Sequence, residues 1–441
     1  MPEDWPSKRL RNHLKFWLPA SLILLLPWIS GGQNPALQIM ACGAAALAFM
    51  GSLWGAGPSI RIPLITGGLL TVYILVQIWN PAWIQYWHTG LRIWELIPVD
   101  FILWLPSSIR SDFGDASPER FLVFYWVALL TALACYRSFG RSGQKLLVAF
   151  TALNAAFIGL VGLIQSALGS QTILGVYSAV DEGQGLFFAT FLYKNHAAAF
   201  LNLGLAACFA SYFSFTKNIV RNPSTPRPVF AILGLVILAG VVFSNSRFGF
   251  LGSLGIWAIF MSLALTGIHR SGISKRWLAM GVGVMSLLAI AGGIFLLKNP
   301  QTDHLNTLNR EITEDFSFKQ RKLGYRSGWV MFTEKPVLGW GAGNFRHGFR
   351  QFQNLEKEKE EIVHPWMARR NQNFFWEHMH NDYLESLIEL GVVGSVLLFA
   401  IPGYFFRIIL KSKRWKDPVI FMLLIGLGST AGHALVDFIW R

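Results

Sequence analysis

The chain has 441 residues, of which 53% are hydrophobic and only 14% charged, with a mean hydropathy of +0.42. Apolar runs close to 20 residues long recur throughout, which excludes a soluble globular protein and indicates an integral membrane protein. A formal charge of +14 would indicate nucleic acid in a soluble chain; here most Lys and Arg lie in short segments between apolar runs, which reads as topology and gives no nucleic-acid partner.

The amino terminus carries Lys8, Arg9, Arg11 and Lys15 ahead of an apolar stretch. That pattern resembles a secretory signal, but no small-residue cleavage site is evident and many runs follow, so a retained first helix is expected. Apolar runs at about 16–31, 35–54, 63–79, 119–136, 146–168, 189–214, 229–244, 248–266, 278–297, 390–410 and 417–439 give about eleven expected spans. With the amino terminus inside, Arg61, then Arg137, Arg141 and Lys145, then Lys217, Arg221 and Arg227, then Arg270, Lys275 and Arg276, and finally Lys411, Lys413, Arg414 and Lys416 all fall on the inner side. This satisfies the positive-inside rule and puts 80–118, 169–188 and 298–389 outside. The expected organisation is a transmembrane bundle over 1–297, a large outer loop over 298–389 and carboxyl-terminal membrane helices over 390–441. Cys42, Cys135 and Cys208 each lie within an apolar run and indicate neither a disulfide framework nor a zinc site.

Segment 80–118 holds Trp83, Trp87, Trp94 and Trp104, and we expect a short interfacial helix anchored by them at the headgroup level. Next, Lys194, Asn195 and His196 stand at the mouth of a span. Such polar groups are costly there unless they face a cavity or one another, and a helix amino terminus suits an anion; equally, Asn195 would serve as a helix cap. Ser244 to Gly252 then forms a tight turn between two spans and carries Arg247, a planar donor fork suited to phosphate. In 298–389, the run Glu356 to Glu361 reads as a solvated helix. Gly339, Gly341 and Gly343 resemble a phosphate-cradling nest, but without a strand-loop-helix context they are read as a turn that closes the loop, with Arg326 as a second cation facing the site.

The segment Phe374 to Gly394 joins the longest polar segment to an apolar run and places His378 and His380 at that boundary. As one helix from Trp376 to Gly394, it would carry Gly391 and Gly394 within roughly 40° of the face of His380. The glycines would let that face pack closely on a neighbour, and His378 would point about 200° away.

His380-Asn381, nine further residues, and Gly391-Val392-Val393-Gly394 resemble a signature of the bacterial O-antigen ligase and O-antigen polymerase family. Asn195-His196, Ser246-Arg247-Phe248-Gly249, and Arg326 with Trp329 ahead of Pro336, Gly339, Gly341 and Gly343 also look like its motifs, in the expected order over about 185–395. The resemblance implies an all-α polytopic, GT-C-like membrane glycosyltransferase. It implies about twelve spans, one more than the runs supply, in a bacterial inner membrane with the active site outside. A polyprenyl-diphosphate-linked glycan would be the donor and a lipid or glycan hydroxyl the acceptor, within membrane lipid.

That chemistry needs fixed cations for the departing diphosphate and a base for the acceptor hydroxyl, for which an imidazole is suited. His380 is the expected base. Arg247, Arg326 and Lys194 are the expected cations, and Asn195, His196, Asn381 and Asp382 join the substrate-binding set. With no Asp-x-Asp in the chain, no metal or other cofactor is expected, and a single displacement would invert the anomeric centre. Ligation to lipid A-core, polymerisation and protein O-glycosylation share these motifs and stay open, and a solute or anion transporter is the alternative of another class.

Overall fold

In the computed structural model, the residues described are 5–29, 35–54, 57–90, 93–113, 117–170, 172–175, 177–178, 187–215, 226–271, 283, 316–353 and 376–440. The helices are α1 (Trp5–Leu25), α2 (Pro35–Leu53), α3 (Arg61–Trp79), α4 (Pro118–Ser138), α5 (Arg141–Ala167), α6 (Lys194–Ser214), α7 (Arg227–Phe243) and α8 (Arg247–Ser271). They continue with α9 (Phe316–Glu334), the short α10 (Phe345–Gly348), α11 (Asp382–Lys411) and α12 (Pro418–His433). Among the described residues, seven helices are long and apolar enough to cross a membrane (α2, α3, α4, α5, α6, α8 and α11), and α7 and α12 are shorter apolar helices. The chain is thus a predominantly helical, multi-pass membrane protein. The expected span 278–297 lies almost wholly outside the described residues, as does the charged run 356–361.

The helices fall into two compact units interleaved along the chain: 1–57 with 130–305 and 409–433, and 58–129 with 306–408 and 434–441. The first unit is built around α6, whose Ala-rich sequence lets neighbours approach closely. A Cβ at Gly204 would run into Ala155 of α5, and one at Gly426 of α12 into Ala206. Leu201, Leu205 and Phe209 pack with Ile158, Ile237, Val241 and Phe260 in the core of this unit. Phe209 stacks on Phe260 at 3.9 Å between ring centroids.

The second unit contains a sheet of order β2-β1-β3, with β1 (Pro81–His88), β2 (Ile93–Pro98) and β3 (Ser108–Ser111). This corrects the interfacial helix expected in 80–118. Its tryptophans alternate with Ile84, Gln85, Tyr86, Glu95 and Leu96 in two short runs of aromatic and branched residues that flank Gly90, the composition of a hairpin. The antiparallel register pairs Trp87 with Trp94, whose rings are 5.5 Å apart, and Tyr86 Oη donates to Glu95 Oε2 at 2.7 Å. A further pair of two-residue strands, β4 (Thr172–Ile173) and β5 (Tyr177–Ser178), lies in the first unit.

The second unit also corrects the expected unbroken helix at 376–394. The helix begins at Asp382, and inside it Gly391 adopts φ 60°, ψ −175° and kinks the chain. The backbone groups freed at the kink pair with the glycine loop: Trp340 N donates to Ile388 O, Gly341 N to Glu389 O, and Val392 N to Pro336 O. From α3, Tyr73 Oη reaches Leu338 O and Leu390 O at 2.7 and 2.8 Å, while Gln77 Oε1 accepts from Ala342 N at 3.1 Å. A kinked helix is tolerated where protein groups satisfy its backbone in this way. Gly394 packs against Tyr73, as the close-packing expectation required.

Candidate functional site

The site in the second unit is built on the start of α11. Asn381 Oδ1 accepts from Tyr383 N and Leu384 N at 3.1 and 3.0 Å, so its side chain caps the helix. His380, immediately before the cap, is left-handed at φ 54°, a conformation that costs a residue with a side chain about 1–3 kcal/mol and clusters at functional sites. Tyr325 Oη of α9 donates to His380 O at 2.7 Å and helps hold that turn. Burial pushes the Tyr325 phenol up to about 12, with Arg321 lowering it and Asp437 raising it, so it stays a donor.

The His380 imidazole Nδ1 lies 2.9 Å from Asp437 Oδ1; the ring is 27% exposed and the carboxylate 1%. Asp437 also accepts from Phe438 N at 3.0 Å and stands 3.7 Å from Arg321. Burial alone would raise its pKa, but the hydrogen bond and charge of His380, the Arg321 guanidinium and the Phe438 amide outweigh burial and hold it below the usual carboxylate value. An ionised carboxylate only accepts, so Nδ1 carries a proton, and in the neutral imidazole Nε2 is then the nitrogen with the lone pair. Asp437 was missed in the sequence because it fell within the expected span 417–439, whereas α12 ends at His433. The available signal was its charge within an apolar run, which by itself marks a candidate functional residue.

His378 does not point away as expected. Its ring stacks on Phe438 at 4.6 Å, and His380 meets the same ring edge-on at 4.9 Å. His378 Nδ1 lies 3.0 Å from Glu385 Oε1, and Glu385 Oε2 accepts from Met379 N at 2.8 Å. Asp382 is fully buried, and its Oδ2 accepts from Ile439 N and Trp440 N at 2.7 and 2.9 Å. It straps the carboxyl-terminal segment in place and so carries Asp437 to His380. Asn381 and Asp382 thus have observed structural tasks. Arg321, Gly324, Tyr325 and Gly328 share the face of α9 that packs here, with Trp376 over Gly324 and Met379 over Gly328. Arg326 lies about 100° on from Tyr325 and is exposed.

The remaining expected residues belong to the first unit. Lys194, Asn195 and His196 open α6, whose N-cap is Tyr193 with no side-chain cap, so Asn195 is not the cap. It is buried, with Nδ2 donating to Tyr193 Oη at 3.2 Å, and His196 packs edge-on to Tyr193 at 5.2 Å. Arg247 is exposed as the first residue of α8. The turn before it has Asn245 at φ 56°, and Ser246 Oγ caps the helix by accepting from Gly249 N at 3.2 Å. The adjoining Phe248 lines an apolar groove of about 390 Å³ between α8 and α12, with Leu251, Ile259, Ile425 and His433.

Fold and site together define a multi-pass membrane protein with a carboxylate-held imidazole at the start of one apolar helix. A family model described as O-Antigen ligase matches residues 229–399. Over those residues, which include Arg247, Arg326 and His380, the chain is similar to the O-antigen ligase family. A protein named O-antigen ligase from Salmonella typhimurium is 23% identical over 197 residues, 44% of this chain and 41% of that protein. The match therefore spans less than half the length of that relative.

Proposed function

We propose that the protein transfers a glycan from a polyprenyl diphosphate donor to an acceptor hydroxyl, as in O-antigen ligation to lipid A-core, on the outer face of a bacterial inner membrane. The observation that carries this reading is the His380–Asp437 pair. With Nδ1–H held by Asp437, His380 Nε2 takes the acceptor proton as its oxygen bonds to the anomeric carbon. The bond from that carbon to the diphosphate breaks, and its electron pair leaves on a diphosphate oxygen. This leaving group needs no general acid, only cations, a part we give to Arg247, Arg326 and Lys194. The groove beside Phe248 offers room for a lipid chain. One displacement inverts the anomeric centre, and the reaction proceeds without a metal.

His380→Ala is expected to abolish transfer from an undecaprenyl-diphosphate-linked glycan to O-antigen-free lipopolysaccharide while membrane expression stays intact. Full activity in that variant would sink the mechanism, and loss of wild-type activity in chelator would remove its metal-free form. Saturable solute uptake into vesicles that survives His380→Ala, without transferase activity, would make the chain a transporter.

A further inference from the structure

The segment 99–107 carries the chain from β2 to β3, and its tip is a turn in which Leu105 N donates to Ile102 O at 3.1 Å. The centre of such a turn is ordinarily Gly, Pro, Asn, Asp or Ser. Here it is Leu103 and Trp104, 80% and 76% exposed, and Ile102 beside them is exposed as well. The turn is nonetheless held firmly. Asn80 Nδ2 donates to Ile102 O and Pro106 O at 3.0 and 3.2 Å, and Asn80 Oδ1 accepts from Ile102 N at 2.8 Å. At the base of the turn, Lys335 Nζ donates to Ser107 Oγ at 3.0 Å and lies 5.3 Å from the centre of the Phe101 ring. Adjoining large apolar side chains on a fixed, exposed turn add nothing to the core, and such a patch marks a surface that meets something apolar.

The place of the turn says what it meets. Asn80 is the C-cap of α3, a helix long and apolar enough to span a membrane. Along α3, Ile62, Ile65, Leu69, Val72, Leu75 and Trp79 recur every third or fourth residue and are all exposed, the stripe that a span turns to lipid. Trp79 closes that stripe at the helix end, where tryptophan settles at the headgroup level. The turn is pinned to the next residue, so its tip is held at the height of Trp79, where the lipid-facing surface meets water.

We propose that Leu103 and Trp104 form a wedge that inserts among the lipids of the bilayer leaflet at this end of α3 and seats the sheet of β1, β2 and β3 on the membrane surface. The partner is the acyl-chain and glycerol region of the lipid, not its charge: residues 99–107 include no Lys or Arg, and Asp100 beside the tip is acidic and exposed. The wedge follows from the multi-pass fold and is independent of the reaction the protein performs.

The test uses the full-length protein in phosphatidylcholine lipid discs. In a background of Cys42→Ala, Cys135→Ala and Cys208→Ala, a nitroxide label is attached at Leu103→Cys or, for comparison, at Thr89→Cys in the exposed hairpin turn. The label on the wedge should collide several-fold more with dioxygen, which concentrates in lipid, than with a water-soluble nickel chelate, and the label on the hairpin should show the reverse. Equal access of the nickel chelate to the two labels overturns the wedge. Protection of the wedge label from both reagents also overturns it, because protein then covers the tip. Without any substitution, hydroxyl-radical oxidation read by mass spectrometry should mark Trp104 several-fold less than Trp87, although Trp87 is only 44% exposed in the protein. Oxidation of Trp104 equal to or ahead of Trp87 overturns the proposal even where the cysteine variants fail to fold.

Discussion

Asp437 is the residue on which the state of His380 depends. Replacing it with Asn keeps the shape but lets the carboxamide donate, which disturbs the imidazole tautomer. Asp437→Asn should therefore lower kcat by roughly 10²–10⁴-fold, the usual worth of a general base, with expression unchanged; stopped-time assays of transfer would measure it. The depressed pKa of Asp437 also has a stability consequence. Its contribution is complete above the unfolded value of about 3.9 and is lost as pH falls through the lower folded value. The thermal stability gap between wild type and Asp437→Asn should hold steady near neutral pH and shrink on acidification below that range. Lys335 is a second perturbed group. Its ammonium lies 4.5 Å over Trp340 and 3.0 Å from Ser107 Oγ, and burial pushes it down to about 8. At pH 8 about half of it is neutral, so an amine-specific acylating reagent read by mass spectrometry should label Lys335 ahead of Lys413 and Lys416, which are exposed. Equal labelling would contradict that shift.

At the scale of elements, the kink in α11 and the glycine loop form one construction. Gly339, Gly341 and Gly343 all have positive φ, at 71°, 109° and 70°, which lets the loop lay its amides against the carbonyls that the kink exposes. Gly391 occupies a backbone region almost exclusive to glycine, and a Cβ there would run into the Val337 carbonyl. Gly391→Ala should destabilise the protein by about 1–3 kcal/mol or more, seen as a lower Tm in detergent, while Gly403→Ala, where a Cβ meets nothing within 4 Å, should leave it unchanged. The three glycines that resembled a phosphate nest are thus engaged by protein backbone. The same economy explains Gln77, fully buried in α3: its amide joins Ala342 N and Glu389 O, which is why a polar residue is tolerated within an apolar span.

Over the whole molecule, the basic residues Arg61, Arg141 and Arg227 begin helices, and Lys411, Lys413, Arg414 and Lys416 lie at the end of α11 and in the turn to α12. In the proposed topology, with these basic ends inside, the start of α11, with His380, faces outward. A membrane-impermeant maleimide applied to spheroplasts should label Thr89→Cys, in the exposed hairpin turn, and should leave Lys413→Cys unlabelled until the membrane is opened. The reverse pattern would invert the topology and remove the proposed outer active site.

Ten of the eleven apolar runs coincide with described helices, because crossing hydrocarbon demands a long apolar stretch that any window along the sequence reveals. The positions of His380 and Arg247 at the starts of apolar helices were likewise legible, since a polar group at the end of such a stretch is conspicuous. The chain by itself determined those spans, the basic turns between them and the candidate base. Tertiary structure alone decided that Asp437 holds His380 across 57 residues of sequence, that His378 turns back onto Phe438, that Asn381 and Asp382 build the turn, and that the tryptophans of 80–118 pair as strands. The reason is physical: burial in hydrocarbon is a property of each segment alone, whereas a left-handed turn, a capped helix start and a strapped carboxyl-terminal segment arise only when distant backbone groups find one another.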